Sequence, residues 1–205
     1  MQPASKKLEA HALVVIDMQN AFCSASGSFC QRGYQMPKIA SVKTAVMALV
    51  RHFKQRQLPV LCTRMLFADD YCDAGLLVST KHPQIRQLGA YRRNTWDSEL
   101  FDELKAETTS GCIVVSKTRY DPFLAKDFQE AILALSPKGF VISGVLTNVC
   151  VESFVRSAFD RDYPVTVVRD ANGTYSEELQ KASLQNMSEH FAEIATLKEL
   201  IGDVS

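Results

Sequence analysis

The chain has 205 residues, of which 46% are hydrophobic and 22% charged, a composition that is ordinary for a soluble globular protein. Its 23 basic residues equal its 23 acidic residues, so no net charge favours nucleic acid or an anionic membrane as a partner. No apolar run approaches the roughly 20 residues of a membrane span, and residues 1–10 lack the apolar stretch of a secretory signal. We therefore expect one cytoplasmic domain over residues 1–205.

The six cysteines are scattered along the chain and form no C-x-x-C pair. Without a secretory signal, this pattern indicates free thiols in a reducing compartment rather than a disulfide framework. A free cysteine is most often a small buried apolar residue, and we interpret Cys62 and Cys112, inside apolar runs, in that way.

Continuous apolar runs predict six strands that are buried in a sheet. They cover residues 12–16, 58–63, 112–115, 140–143, 164–168 and 194–197. Apolar residues at three- and four-residue steps predict helices between the strands. These helices run from residue 37 to 53, 97 to 104, 122 to 135 and 149 to 160, and a last helix starts within residues 174–177 and continues to residue 191. The alternation predicts a three-layer α/β/α fold with a mostly parallel, doubly wound six-stranded sheet.

Two connections are long. Residues 18–36 are interpreted as a loop, and residues 64–94 as an irregular insertion of the kind that often forms a lid or a binding loop. The insertion contains Asp69, Asp70 and Asp73, which we interpret as a solvated acidic cluster rather than a cation site.

The residue pattern over 140–156 predicts a strand, a tight turn and then a helix, with Cys150 near the first turn of that helix. A thiol at that position lies near the positive end of the helix dipole and near unpaired backbone N–H groups, which favours the thiolate. The same N–H groups can stabilise an oxyanion. Cys150 is therefore a candidate nucleophile.

Asp17, Lys117 and Cys150 each follow a predicted strand, and the carboxyl ends of parallel strands share one edge of the sheet. Each residue alone has an ordinary structural explanation, as a turn carboxylate, a solvated lysine or a packed thiol. Together they form a chemical set, because an ammonium stabilises a thiolate and a carboxylate can carry the thiol proton to a leaving amine. None of the four histidines lies at the carboxyl end of a predicted strand.

Three segments resemble the signature segments of the isochorismatase-like cysteine hydrolases. They read VVIDMQNAFC at residues 14–23, SKTRYDPF at 116–123 and SGVLTNVCVES at 143–153. The resemblance covers nearly the whole chain in order, and the third segment is the most specific.

The resemblance implies that Asp17 is the general base and acid, Lys117 the catalytic lysine and Cys150 the nucleophile that forms a thioester. It also implies a cis peptide bond between Val145 and Leu146, and an oxyanion hole made by the backbone N–H groups of Leu146 and Cys150. Most relatives have a small residue at the position of Leu146, so leucine is expected to narrow the pocket or alter substrate choice.

The same resemblance narrows the reaction. Isochorismatases that cleave a vinyl ether lack the cysteine, so Cys150 favours hydrolysis of a small amide or ureide with release of ammonia or an amine. Nicotinamidases bind a metal through histidines after the second strand, and residues 63–71 contain none, so we expect no metal and no cofactor. Residues 70–76 and 93–99 resemble the branch of ureidoacrylate amidohydrolases, with N-carbamoylsarcosine amidases as further relatives. Such relatives are commonly homodimers or homotetramers.

Candidate substrate contacts lie beside the signature positions. They are Asn20, Phe22, Arg119, Tyr120 and Thr147. Arg119 can pair with a substrate carboxylate, although an ordinary surface arginine is an equal alternative. Phe22 and Trp96 can form pocket walls, although core packing is the commoner role of such residues.

Three other functions compete with a hydrolase. A nucleotide-binding protein is disfavoured because Asp17 and the three residues after it form no glycine-rich phosphate loop. A non-catalytic protein of this fold is disfavoured because all three candidate catalytic residues are present. A thiol-redox protein would need a second cysteine close to Cys150 in space, which the sequence does not reveal.

Overall fold

The structure is a computed structural model that describes Leu8 and residues 10–109 and 111–202. The expectation that residues 1–10 form no secretory signal concerns a segment that lies outside the described residues, apart from Leu8 and Ala10. Among the described residues, no helix is both long enough and apolar enough to cross a membrane.

Six strands form one sheet in the order β3-β2-β1-β4-β5-β6. They are β1 (His11–Ile16), β2 (Val60–Met65), β3 (Ile113–Lys117), β4 (Gly139–Val145), β5 (Val165–Gly173) and β6 (Glu193–Ala195). All five strand pairings are parallel. The chain runs outward from β1 to β3, returns to β4 on the other side of β1 and runs outward again to β6. This reversal confirms the predicted doubly wound sheet.

Helices cover both faces of the sheet. The α-helices are α1 (Asn20–Cys23), α2 (Ser28–Gln31), α3 (Ile39–Gln55), α4 (Gln84–Gln87), α5 (Asp102–Thr108), α6 (Lys126–Leu135), α7 (Glu152–Phe159), α8 (Glu177–His190) and α9 (Leu197–Ile201). Single π-helical turns form at Leu77–Lys81 and Thr147–Val151, and 3₁₀ turns at Trp96–Ser98 and Pro122–Leu124. Helix α3 contacts β1, β2, β4 and β5 and also packs against α5 and α9, while α6, α7 and α8 contact β3, β5 and β6 respectively.

Four strands extend two or more residues beyond the apolar runs that predicted them. The ladders continue through polar residues because backbone groups pair whatever the side chain, as where Met65 of β2 aligns with Lys117 of β3. Lys117, expected just beyond the third strand, is therefore its last residue. On β5, pairing with β4 resumes after an irregularity and aligns Gly144 with Asn172.

Two of the predicted helices are wrong in part. The helix predicted over residues 97–104 begins only at Asp102, because Leu100 forms an antiparallel bridge with Gln19. The helix predicted from residue 122 is interrupted at Ala125, whose backbone is extended. Before it, the Asp121 side chain accepts a hydrogen bond from the Phe123 amide and caps a separate 3₁₀ turn.

Four short helices lack a prediction, and one of them, α4, lies within the insertion of residues 64–94. Helices α1 and α2 lie within the stretch of residues 18–36 interpreted as a loop, and each is one turn long, too short for a periodic pattern. The last predicted strand ends at Ala195, and Thr196 and Glu199 form a capping box that starts α9.

The close approach of β1 and β4 at the centre of the sheet depends on Gly144. Its φ is +120°, and a Cβ built on it would lie 2.1 Å from the Ile16 carbonyl oxygen. Only glycine fits this contact. On β1 the contact lies at Ile16, one residue before Asp17, and on β4 it lies just before the turn that contains Cys150. The glycine therefore sets the spacing between two parts of the candidate site.

Replacing Gly144 with alanine is expected to lower the free energy of unfolding by about 4 kcal/mol or more, because the new methyl group would overlap backbone atoms. Gly111→Ala is the matched control, since Gly111 has a similar φ of +112° and a Cβ added there would have no atom within 4 Å. We expect the control to cost about 1–2 kcal/mol from backbone strain alone. Urea unfolding measures both, and equal losses would contradict the importance of the β1–β4 contact.

Candidate active site

Asp17, Lys117 and Cys150 meet at the carboxyl edge of the sheet. The Lys117 Nζ donates a hydrogen bond to Asp17 Oδ2 at 2.7 Å and lies 3.5 Å from Cys150 Sγ. The exposed fractions of the three residues are 0%, 2% and 4% in chain order. Because β3 is an edge strand and β2 lies between it and β1, only a long side chain at the end of β3 can reach Asp17. The structure thus brings together all three residues that the sequence proposed as a catalytic set.

The Asp17 carboxylate is held by a donor on each oxygen. Thr63 Oγ1 donates to Oδ1 at 2.8 Å, while Lys117 donates to Oδ2. The Asp17 backbone has a positive φ of 50°, which turns the chain away from the sheet after β1. Thr63 was missed by the sequence analysis, although a polar residue ending an apolar run is the same signal that identified Asp17. Its position fixes which way the carboxylate faces.

The turn after Asp17 is held by the buried amide of Gln19. Gln19 Oε1 accepts from the Met65 amide at 2.7 Å, and Nε2 donates to the carbonyls of Met65 and Ser98. The neighbouring Asn20 donates from Nδ2 to the Trp96 carbonyl at 2.9 Å. These bonds tie the loop after β1 to β2 and to the 3₁₀ turn. Asn20, a predicted substrate contact, therefore has a structural partner.

Cys150 lies in the π-helical turn after β4, and α7 begins two residues later at Glu152. The peptide bond between Val145 and Leu146 is cis, as the resemblance implied. The Leu146 carbonyl accepts hydrogen bonds from the amides of Val149 and Val151 at 3.0 and 3.2 Å. The thiol is thus presented by a closed turn rather than by the first turn of an α-helix.

Burial raises the pKa of the Cys150 thiol well above its usual value. Lys117 opposes this effect and lowers the thiol pKa, while the charge and hydrogen bonding of Asp17 raise it. For Lys117, burial lowers the pKa, but the combined charges and hydrogen bonds of Asp17 and Cys150 outweigh it, so the lysine pKa is raised overall. The resting site is therefore a protonated thiol beside a lysine–aspartate ion pair. Our expectation that the turn favours the thiolate is wrong for this resting state, because desolvation dominates.

A cavity of about 80 Å³ opens beside Cys150. Its wall is largely aromatic and includes Phe22, Phe29, Tyr91, Tyr120 and Tyr175. Phe22 stacks on Tyr91 with ring centroids 5.4 Å apart. Two predicted substrate contacts, Phe22 and Tyr120, thus line the same cavity as the thiol.

The other three predicted contacts are not part of this cavity wall as the described residues form it. Asn20 and Thr147 are both buried. The Thr147 carbonyl accepts a hydrogen bond from Ser183 Oγ. Arg119 is exposed and lies outside the cavity wall. Its Nη1 donates hydrogen bonds to the Asp73 and Thr118 carbonyls at 2.9 and 2.7 Å. Trp96 is half-exposed and also lies outside the wall.

Sequence analysis missed several cavity residues that belong to irregular segments. Arg32 follows α2, and Leu77, His82 and Ile85 belong to the long insertion between β2 and β3. No periodic pattern marks these positions, since only the folded loops bring them over Cys150. The insertion between β2 and β3 therefore forms part of the cavity wall.

In the part of the chain that the structure describes, no three histidine, cysteine, aspartate or glutamate side chains are grouped so as to hold a metal ion. The expectation that the protein needs no metal stays a prediction.

Four similarities to known proteins bear on this site. The isochorismatase domain family matches residues 11–199. A ureidoacrylate amidohydrolase RutB from Caulobacter segnis is 30% identical over 98% of this chain and 88% of its own length. A cysteine hydrolase from Pseudomonas syringae pv. phaseolicola has a similar structure, with a TM-score of 0.83 and 25% identity over 94% of this chain and 91% of its own. An N-carbamoylsarcosine amidase from Thermoplasma acidophilum shares the fold at a TM-score of 0.70 and 23% identity, over 91% and 95% of the two chains.

The electrostatics of the site predict how Cys150 reacts with iodoacetamide as the pH changes. Because its thiol pKa is raised, labelling should keep increasing above pH 8.5, roughly the usual thiol pKa. Asp17→Asn removes a charge that raises this pKa and should shift the profile to lower pH by about one unit. Lys117→Met removes the charge that lowers it and should shift the profile upward. Peptide mass spectrometry follows Cys150 alone, and opposite shifts would overturn the assigned charges.

Proposed function

Because this chain belongs to the isochorismatase family of hydrolases, we propose that it is a cysteine-dependent amidohydrolase that cleaves a C–N bond of a small amide or ureide. The observation that carries the proposal is the chain of contacts from Asp17 through Lys117 to the Cys150 sulfur beside a cavity. A carboxylate, an ammonium and a thiol in contact can move a proton and support a covalent intermediate without a histidine.

In the proposed reaction the Asp17 carboxylate takes the thiol proton as the sulfur of Cys150 attacks the substrate carbonyl carbon. The charge that develops on the carbonyl oxygen is stabilised by the backbone N–H groups of Leu146 and Cys150. The C–N bond then breaks, and Asp17 returns the proton to the departing nitrogen, which leaves as ammonia or an amine. A water molecule, deprotonated by Asp17, hydrolyses the thioester and regenerates the thiol.

The raised thiol pKa is consistent with this sequence, because the proton leaves the sulfur together with its attack rather than beforehand. Lys117 stays protonated, since its own pKa is raised, and its charge stabilises the sulfur as the proton moves to Asp17. Thr63 keeps one carboxylate oxygen hydrogen-bonded, which leaves the Asp17 carboxylate in a fixed orientation throughout.

The substrate class is supported by the cavity and by the relatives. About 80 Å³ of space admits only a small molecule. The matched relatives are named for ureidoacrylate and N-carbamoylsarcosine, which are small C–N substrates. We also propose that residues 1–205 form a single domain. The protein is further proposed to be a homodimer or homotetramer with a cytoplasmic location. Among the described residues, Cys150 is the one cysteine of the cavity wall, so the thiol-redox alternative has no resolving thiol there.

The nucleophile is tested by ammonia release from ureidoacrylate, N-carbamoyl amino acids, biuret, nicotinamide and simple amides. Cys150→Ala and Cys150→Ser should lower kcat by about 10³-fold or more on any substrate that the wild type hydrolyses, because no thioester can form. Cys72→Ser is the matched control, since Cys72 is an exposed cysteine outside the cavity wall, and it should keep its activity. Turnover that survives in both Cys150 variants would rule out the covalent mechanism.

Leu146→Ala tests whether Leu146 narrows the cavity, since the resemblance implies a smaller residue at this position in most relatives. Leu146 is 8% exposed and lines the cavity with Cys150, so alanine should enlarge it. We expect kcat/KM to rise for ureides with one or two extra methylene groups relative to the smallest substrate, by about 10-fold. A uniform fall for substrates of every size would instead assign Leu146 to the stability of the turn.

A further inference from the structure

We propose that Arg32 binds a carboxylate of the substrate in the cavity of Cys150, and so selects small amides or ureides that carry an acid group. The inference rests on the proposed function, since it names the substrate class of the same site. It also transfers to Arg32 the carboxylate-binding role that the sequence suggested for Arg119.

The guanidinium of Arg32 is positioned by aromatic side chains of the cavity. Its central carbon lies 5.7 Å from the ring centroid of Phe29 and 5.4 Å from that of Tyr34, and these two rings stack on each other. One nitrogen, Nη1, donates a long hydrogen bond of 3.4 Å to the Tyr91 hydroxyl. Cation–π contacts hold the plane of the group and leave most of its N–H donors for a ligand.

Arg32 has no acidic partner within the described residues. Arg93 and Arg156, by contrast, form ion pairs with Asp73 and Glu152. Arg32 is half-buried in the cavity wall, and among the described residues its guanidinium has only the long hydrogen bond to Tyr91. A carboxylate can accept two parallel charge-assisted hydrogen bonds from it, which is the geometry that guanidinium groups favour.

The cation is close enough to the nucleophile to act on the same small molecule. Arg32, Tyr120 and Cys150 line the same cavity. In keeping with this, burial raises the pKa of Tyr120, Cys150 raises it further, and Arg32 lowers it. Tyr91 responds in the same way to both. A cavity of about 80 Å³ that contains the thiol and the guanidinium is matched by a molecule with a carbonyl and an acid group a few bonds apart.

The other basic side chain on this wall, His82, does not duplicate the role. Burial lowers the pKa of His82, and the charges of Arg32 and Lys81 lower it further. His82 is therefore neutral near pH 7, and Arg32 is the fixed cation among the described residues of the wall. A second carboxylate in the substrate would have no partner there, which points to a monoacid.

The anion site is tested without turnover by alkylating Cys150 with two matched reagents, 3-bromopropionate and 3-bromopropionamide. The ratio of their rates at Cys150, divided by the ratio for free cysteine, reports attraction of the carboxylate. We expect Arg32→Gln to lower this normalised ratio about 10-fold or more. Arg32→Lys should lower it less, because lysine keeps the positive charge but lacks the paired N–H donors of a guanidinium. Arg86→Gln is the control, since Arg86 also lies over a tyrosine ring, that of Tyr71, but outside the cavity wall.

An unchanged ratio in a folded Arg32→Gln protein, verified by its thermal unfolding, would overturn the inference. Hydrolysis is measured separately with N-carbamoyl-β-alanine and its neutral counterpart propylurea. If Arg32 selects the acid, Arg32→Gln raises KM for the first substrate and leaves the second unchanged, whereas equal loss on both contradicts the assignment. Absence of turnover in every protein would count against the proposed function, while the alkylation ratio still decides the role of Arg32.

Discussion

The buried ion pair between Lys117 and Asp17 is the interaction on which both the carboxyl edge of the sheet and the candidate site depend. Removing two charges from water is costly, and it is tolerated only when the remaining donors and acceptors are satisfied. Thr63 satisfies the second oxygen of Asp17, and the Arg119 carbonyl and the Cys150 sulfur satisfy Lys117. Since these groups come from β1, β2, β3 and the turn after β4, the pair forms only when the strands are in register.

This arrangement also determines how the thiol can react. A free cationic partner would lower the thiol pKa, but Lys117 is shared with a carboxylate, so the local charge beside Cys150 is nearly balanced. Desolvation then keeps the proton on sulfur. A protonated buried thiol is a poor target for oxidants and stray electrophiles. In the reaction that we propose, Cys150 reacts when the Asp17 carboxylate accepts its proton, so the same contacts would both protect the thiol and activate it.

The sequence predicted the sheet and the catalytic set better than the cavity. Asp17 and Lys117 could be identified because polar residues follow buried strands there, and Cys150 because a thiol follows a strand and a turn near the start of a predicted helix. Arg119 has the exposed position of the alternative that the sequence left open, a surface arginine, because nothing local fixes where its side chain points. Arg32 gave no signal, since its role depends on how residues 18–36 fold against Tyr91 and Tyr120. The helix predicted over residues 97–104 failed for the same reason, because a bridge to Gln19 is not local.

The division between sheet edge and loops separates reaction from selection. The strand ends hold the groups that we propose for proton transfer at distances that the register fixes, so these groups can change little without loss of the ion pair. Met65 of β2 and the turn with Leu146 and Cys150 form one part of the cavity wall. Other parts come from the segment with Arg32 and from the insertion with His82 and Ile85, and such loops can vary in sequence at little cost to the core. Under the proposed function, a cation in a loop therefore alters which molecules reach Cys150 while the groups at the strand ends stay the same.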